Sequence, residues 1–250
     1  MKPMKTNLLD TTFIIPVSYD HPDRLENLNL VRDYLNHHFD TNIIVGEIGT
    51  RQMDADVDFD YPTFHRTRAL NEMTMMAKTP YVVNWDADVL VHTRQIYYMI
   101  DWLRFGIEVV YPYDGRFLLV PRSYIRPIQE TNTLAALQYV NFQSMGATSA
   151  TGPSYGGAVG YNKEAFIRAG GENENFVSMG AEDQERWRRF NLLLKVSRVN
   201  GPLYHINHHR GVNSTFKHEN GRANQLYWDK LCRMTDEQFI DHIKTFTWLK

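Results

Sequence analysis

Two aspartates one residue apart, Asp86 and Asp88, close the apolar run Tyr81 to Trp85 in the stretch TPYVVNWDADVLVHT, which turns apolar again at Val89 to Val91. A carboxylate set in apolar surroundings without a partner is costly to desolvate. Either the pair is solvated at a strand end, or it gathers around a hard divalent cation of the kind that holds a diphosphate. A second group, His205, His208 and His209, lies in LYHINHHRG. Histidines at a strand end can be packed or solvated. Joined to Asp88, however, an imidazole would complete a mixed oxygen and nitrogen set that suits Mn²⁺ better than Mg²⁺ or Ca²⁺. A third group lies in MGAEDQERWRRF. Glu182 and Asp183 there complement the dipole of a helix start, and Glu182 with Arg186 has the spacing of an i,i+4 ion pair. The other reading keeps one carboxylate clear of the cation, where it can take a proton from an attacking hydroxyl.

The elements around these groups alternate. TTFIIPVSY reads as a buried strand, and HPDRLENLNLVRDYLNHH as a helix with Leu25, Leu28, Val31 and Leu35 on one face. Asp23 with Glu26 is the expected N-cap box. NIIVGEI is a second strand, and the acidic DADVDFDYP after it is expected to be a solvated turn, because it lacks the Gly and terminal Glu of a calcium loop. A helix is expected over Thr67 to Ala77, with Leu70, Met73 and Met76 or Ala77 packed inward and its methionines in the core. The strand ending at Asp86, the helix RQIYYMIDWLRF and the strand EVVYPY complete an order that predicts a doubly wound sheet, with ligands at the carboxyl ends of its strands. Further on, AVGYNKEAFIRAGG predicts a strand and a helix stopped by Gly170 and Gly171. A helix is then expected from Glu182, a histidine-rich strand end after it, and a last helix bearing Phe239, Ile243 and Phe246. The small residues of SMGATSATGPSYGG predict a loop able to close over a ligand.

With 250 residues, 43% hydrophobic and 22% charged, the chain is long enough for one large α/β domain, and no linker divides it. A formal charge of −2 offers no bulk attraction to nucleic acid, so a small-molecule partner is expected. The single cysteine, Cys232, excludes an intrachain disulfide framework and a cysteine-based zinc site, and fits a reducing compartment. No run approaches the ~20 apolar residues of a membrane span, and MKPMKTNLLDTTF lacks a leader's apolar core. A cytoplasmic location is expected, compatible with peripheral membrane contact. No G-x-G-x-x-G follows the first strand, so nicotinamide binding loses its usual support and a nucleotide-activated donor is favoured. A nucleotidyltransferase would need a Gly- and Arg/Lys-rich phosphate loop where PVSYDHPDRL stands. A non-catalytic nucleotide-sugar-binding protein would have no use for a free carboxylate at Asp183.

In order along the chain, these groups resemble the metal-dependent inverting glycosyltransferases of the GT-A fold, and among them the β-1,4-galactosyltransferase family with its bacterial relatives. The blocks that carry the resemblance are FIIPVSYDHPDRL, FHRTRALNEMTMMAKTPYVVNWDADVLV, YGGAVGYNKEAFIRAGGENENFVSMGAEDQERWRRF and LYHINHHRG. The resemblance implies a single Rossmann-like domain over 1–250, with a mixed central sheet flanked by helices. About 1–115 would form its nucleotide-binding half, and about 116–250 its acceptor-binding and catalytic half. Pro16 would border the uridine, Phe64 and Arg66 would contact the nucleotide, and Asp86 would lie near ribose and metal. Asp88 and His208 would bind Mn²⁺, or Mg²⁺ in its place, with His205 where the animal enzymes use a methionine. Gly156 and Gly157 match the family's Gly-Gly pair, and Met179-Gly180-Ala181-Glu182-Asp183 its Trp-Gly-Gly-Glu-Asp element. Glu182 would bind the acceptor sugar and Asp183 would be the general base. Met179 in place of Trp, and Ala181 in place of Gly, change the sugar sites. The implied reaction moves a hexose, galactose or an N-acetylhexosamine, from a UDP-sugar to a saccharide or glycolipid acceptor, as in bacterial surface polysaccharide synthesis.

Overall fold

Phe13, Ile14 and Ile15 are wholly buried, as a central strand covered on both faces requires. They lie in β1 (Thr6–Val17), the first element of a computed structural model that describes residues 5–142, 153–211 and 218–249. α1 (Pro22–His38) follows, then β2 (Phe39–Ile48), β3 (Val57–Phe59), α2 (Arg66–Met76), β4 (Tyr81–Trp85), β5 (Val89–Leu90), α3 (Thr93–Arg104), β6 (Val109–Tyr111), β7 (Phe117–Val120) and α4 (Ile125–Thr131). The second half contains β8 (Ala158–Asn162), α5 (Lys163–Arg168), α6 (Glu182–Leu193), β9 (Val196–Arg198), β10 (Leu203–Ile206), α7 (Gly221–Cys232) and α8 (Asp236–Ile243).

The main sheet runs β3-β2-β1-β4-β8-β6-β9, and a small sheet runs β5-β10-β7. β1 pairs in parallel with both β2 and β4, whereas β8 is antiparallel to β4 and β6, so the sheet is mixed. The first connection leads to one side of β1 and the later one to the other. That reversal opens a crevice beyond the carboxyl ends of β1 and β4, where Pro16 and Asp86 lie. Among the described residues no helix is long and apolar enough to cross a membrane.

Several expectations need correction. The N-cap of α1 is His21, whose Nδ1 accepts from Asp23 N at 3.2 Å, with Pro22 at the first helical position where its missing N–H costs nothing. The acidic segment is not wholly turn: Val57–Phe59 adds β3 to the edge of β2, and an Asp56 carboxylate oxygen accepts from Val45 N at 2.8 Å. On α2, Met73 and Ala77 are buried but Met75 and Met76 are exposed, because the helix presents one face to β1 and β2. Leu25 of α1 is also exposed. The helix α7 was not anticipated; its polar sequence GRANQLYWDKLC buries only Gly221, Asn224 and Leu231. The small-residue loop expected to close over a ligand falls largely on 143–152, outside the described residues.

Candidate functional site

The turn after β4 sets the two aspartates apart. Trp85 Nε1 donates to Val89 O at 3.0 Å and Asp86 N donates to Gly157 O at 2.8 Å, holding Asp86-Ala87-Asp88 in a tight link between the main and small sheets. Asp86 faces Arg66 at the start of α2, whose Nη2 lies 2.5 Å from Asp86 Oδ1. Burial raises the Asp86 carboxyl, opposed by Arg66. Asp88 points instead to the small sheet. There β10 runs antiparallel to β5 with His205 opposite Val89, and Ile206 N donates to Asp88 O at 2.8 Å. This register sets His205 Nε2 3.4 Å from Asp88 Oδ1, and just beyond the strand His208 Nε2 is 3.1 Å from Asp88 Oδ2.

One ligand atom from each of Asp88, His205 and His208 lies within 4.8 Å of the others, and these donors fit a divalent cation. The Nδ1 of His208 is 2.6 Å from His209 O. A carbonyl only accepts, so Nδ1 is the donor, and in a neutral ring Nε2 then turns its lone pair to the cluster. Burial pushes the His205 imidazole down, favouring the neutral form a ligand needs, and its Nδ1 is buried with no hydrogen-bond partner. For Asp88, burial is the largest influence and raises the carboxyl. His205, His208 and Arg24 together outweigh it and hold the group well below the usual carboxylate range. Arg24 is charged at every working pH and stands beside Asp88, with Nη1 3.1 Å from Oδ2. His209 does not join the cluster; its ring stacks on His21 at 4.7 Å.

Opposite this cradle, α6 presents Glu182 and Asp183. Ser178, with φ of +62°, turns the chain into that helix and donates from its N to Phe64 O at 2.8 Å, which ties the start of α6 to the start of α2. Asn224 of α7 donates to Val177 O and Met179 O at 2.8 and 3.0 Å, and His218 Nε2 donates to Met179 O at 2.6 Å. The unanticipated helix thus clamps the backbone on which Met179 and Gly180 sit. Asn224 also packs against Gly180, where a Cβ would meet its Nδ2 at 2.7 Å.

The expected Glu182–Arg186 pair does not form. Arg186, 1% exposed, binds Asp183 Oδ1 at 2.7 Å, Glu172 Oε1 at 2.9 Å and Tyr155 O at 2.9 Å. Behind it Arg189 and Glu185 form a second buried pair, at 2.8 and 3.0 Å. The run ERWRRF looks like a solvated charged face, yet two of its arginines are among the most buried side chains described. With Oδ1 pinned, Asp183 keeps Oδ2 over Gly156, and a Cβ at Gly156 would collide with that oxygen. Gly157, at φ +87°, lets the chain pass between Leu203 and Val89 into β8.

These groups line two adjoining cavities. One, of about 140 Å³, is bordered by Pro16, Ser18, Phe64, Arg66, Asp86 and Asp88. The other, of about 280 Å³, is bordered by Met179, Glu182, Asp183, His205, His208 and Phe117. Phe64, Arg66, Asp86, Asp88 and Arg24 face both. The structure therefore gathers Pro16, Phe64, Arg66, Asp86, Asp88, Met179, Glu182, Asp183, His205 and His208 on one cleft. Gly156 and Gly157 support its floor and Gly180 its rim, without lining either cavity. Arg24 and Asn224 were not singled out from the sequence, and Arg186 only as a partner for Glu182. A paired reading of Glu185 with Arg189 would have hinted at a buried α6 face, but nothing local marks Arg24.

Glu182 supplies a test that needs no ligand. Its burial, with Asp183 adding to the effect, pushes its carboxyl from an ordinary value of 4.5 up to about 8. The folded chain keeps this proton in a range where an unfolded chain has lost it, so stability falls as pH rises from near 4.5 toward 8, by an amount on the order of a few kcal/mol. Glu182→Gln is expected to flatten that decline in metal-free thermal melts. A gap between variant and wild-type Tm that does not widen from acid to alkaline pH would refute the assignment.

No protein-family model matches the chain, and no curated protein sequence is significantly similar to it. Solved structures are similar. A mannosyltransferase from Pyrobaculum calidifontis, in complex with GDP-Man and Mn²⁺, matches at TM-score 0.51 and 14% identity over 95% of this chain and 69% of that one. Glucosyl-3-phosphoglycerate synthase from Mycobacterium tuberculosis, in complex with Mg²⁺ and UDP, matches at TM-score 0.50 and 16% identity over 87% of this chain and 78% of its own. A Drosophila β1,4-galactosyltransferase 7 catalytic domain, in complex with xylobiose, has a TM-score of 0.44 at 15% identity over 77% of this chain. This chain spans 64% of the length of that Drosophila structure. The likenesses to the first two show the fold, which is the GT-A arrangement of a mixed Rossmann-like sheet flanked by helices.

Proposed function

We propose that this chain is a metal-dependent inverting glycosyltransferase that moves a hexose from a UDP-sugar to an acceptor hydroxyl. The observation that carries the reading is one cleft with a His-His-Asp cradle on one wall and, on the other, a separate carboxylate pinned at a single oxygen. A binding protein gains nothing from the second arrangement. Galactose or an N-acetylhexosamine is the proposed sugar and a saccharide or glycolipid the proposed acceptor, in bacterial surface polysaccharide or glycolipid synthesis in the cytoplasm. These finer assignments rest on the resemblance of the sequence blocks.

Asp88, His205 and His208 would hold Mn²⁺ or Mg²⁺, which when bound neutralises the donor diphosphate so that it leaves without a protonated acid. Pro16 and Phe64 border the nucleotide side of the cleft, and Arg66 sets Asp86 toward the ribose. Glu182, protonated below about pH 8, can donate a hydrogen bond to an acceptor oxygen. Asp183 takes the proton of the acceptor hydroxyl at Oδ2, since Oδ1 is occupied by Arg186. Attack from the face opposite the leaving diphosphate inverts the anomeric carbon in a single displacement.

The test is incubation with Mn²⁺ and UDP-galactose, UDP-N-acetylgalactosamine and UDP-glucose in turn, with UDP release measured with and without saccharide acceptors. Silence of the folded protein across the panel would sink the reading. Gly156→Ala is a sharper probe of the base. Its backbone lies outside the left-handed region, so the new methyl group should fold without strain and act only by pushing Asp183 Oδ2 aside. A fall in kcat on the order of 10- to 100-fold is expected, with Mn²⁺ and UDP affinity retained. An unimpaired kcat would count against Oδ2 as the proton acceptor.

A further inference from the structure

Arg24 places a permanent cation inside the proposed metal cradle. It stands in the first turn of α1, whose start is set by the His21 cap and Pro22. Its Nε donates to Asp20 Oδ1 at 3.2 Å, which aims the guanidinium across the cleft. Its Nη1 then lies 3.1 Å from Asp88 Oδ2 and 3.0 Å from His208 Nε2. Those are two of the lone-pair atoms that a divalent cation would use.

We propose that Arg24 is a resident counter-cation that a divalent metal must displace from Asp88 and His208, and that the donor's diphosphate receives it once displaced. This rests on the metal and UDP reading of the same cleft. A guanidinium and a divalent ion a few ångströms apart repel strongly, so the two cannot share Asp88 Oδ2. Without Arg24, a metal arriving at Asp88 Oδ2 and His208 Nε2 would not have to displace a guanidinium from those two atoms. The displaced side chain has a destination, because Arg24 also borders the cavity lined by Pro16, Ser18 and Arg66, and a guanidinium pairs well with phosphate oxygens. Metal alone must then bind weakly, and UDP must strengthen it by giving Arg24 a new partner. The coupling is reciprocal: metal strengthens UDP by the same factor.

The test is calorimetric titration of the full chain with MnCl₂, with and without saturating UDP, for wild type, Arg24→Gln and Arg24→Lys. Without UDP, Arg24→Gln is expected to bind Mn²⁺ about five-fold or more tightly than wild type, with a smaller gain on adding UDP. Arg24→Lys keeps the charge and should stay near wild type. A folded Arg24→Gln with unchanged or weaker Mn²⁺ affinity overturns the inference while leaving the metal site standing. Absence of Mn²⁺ binding by wild type, with and without UDP, overturns both. Should the glutamine variant fail to fold, a wild-type structure with Mn²⁺ decides: Arg24 is expected to have left Asp88 and His208, and its retention on both beside the bound ion refutes the displacement.

Discussion

Asp88→Ala is expected to abolish Mn²⁺ binding and, with it, Mn²⁺-dependent UDP binding, lowering that affinity by about 100-fold or more, since losing even the outer partners of metal ligands costs 10- to 100-fold. The structure gives Asp88 the decisive place in the cluster. It offers the only carboxylate in the three-residue set found among the described residues, and both histidines bring an Nε2 within 3.4 Å of its oxygens. Two imidazoles and a nearby guanidinium, with no carboxylate among them, make a poor seat for a dication once that charge is gone. Calorimetry of UDP with Mn²⁺ and with chelator measures the effect directly. Equal UDP affinity in the variant and wild type would refute the ligand assignment.

Asp183→Asn is expected to reduce transfer by about 10² to 10⁴, the range a positioned general base supplies, while leaving Mn²⁺ and UDP binding near wild type. The substitution is unusually clean. An Asn Oδ1 can still accept the 2.7 Å hydrogen bond from Arg186, so the side chain stays where it is and loses only its capacity to take a proton at the second position. Arg186 remains paired with Glu172 deep in the fold, which keeps the helix start anchored. Single-turnover transfer with the preferred donor is the measurement, with UDP affinity as the control. An Asn variant that transfers at the wild-type rate would remove Asp183 from the chemistry.

Much of the fold was readable along the chain because its main strands are short apolar runs and its helices begin and end on recognisable residues. The strands around Phe13, Val45 and Val83 are found where the pattern puts them, and Gly170 and Gly171 end α5 in left-handed conformations. The errors have local causes. Asp23 is as good a cap by type as His21, and only Pro22 at the first helical position tips the choice. The strand β3 is only three residues, Val57-Asp58-Phe59, set in an acidic segment, and its pairing comes from the edge of β2 rather than from its own pattern. In α7, polar residues hide a structural role, because Asn224 acts by holding carbonyls of a distant segment.

The sequence by itself determined the chemical types in the cleft: two aspartates at the end of an apolar strand, imidazoles at another strand end, and carboxylates opening a helix. Residue type and spacing suffice for that, since each group sits on one local element. Which group partners which was decided by tertiary structure alone. The β5–β10 register brings His205 to Asp88, Arg66 claims Asp86, and Arg186 leaves Glu182 for Asp183 and Glu172. Arg24 enters a cradle built from residues 64 and 184 positions away. The physical reason is that the strength of a charge's interaction depends on distance and burial, and both are properties of the packed molecule rather than of any stretch of chain.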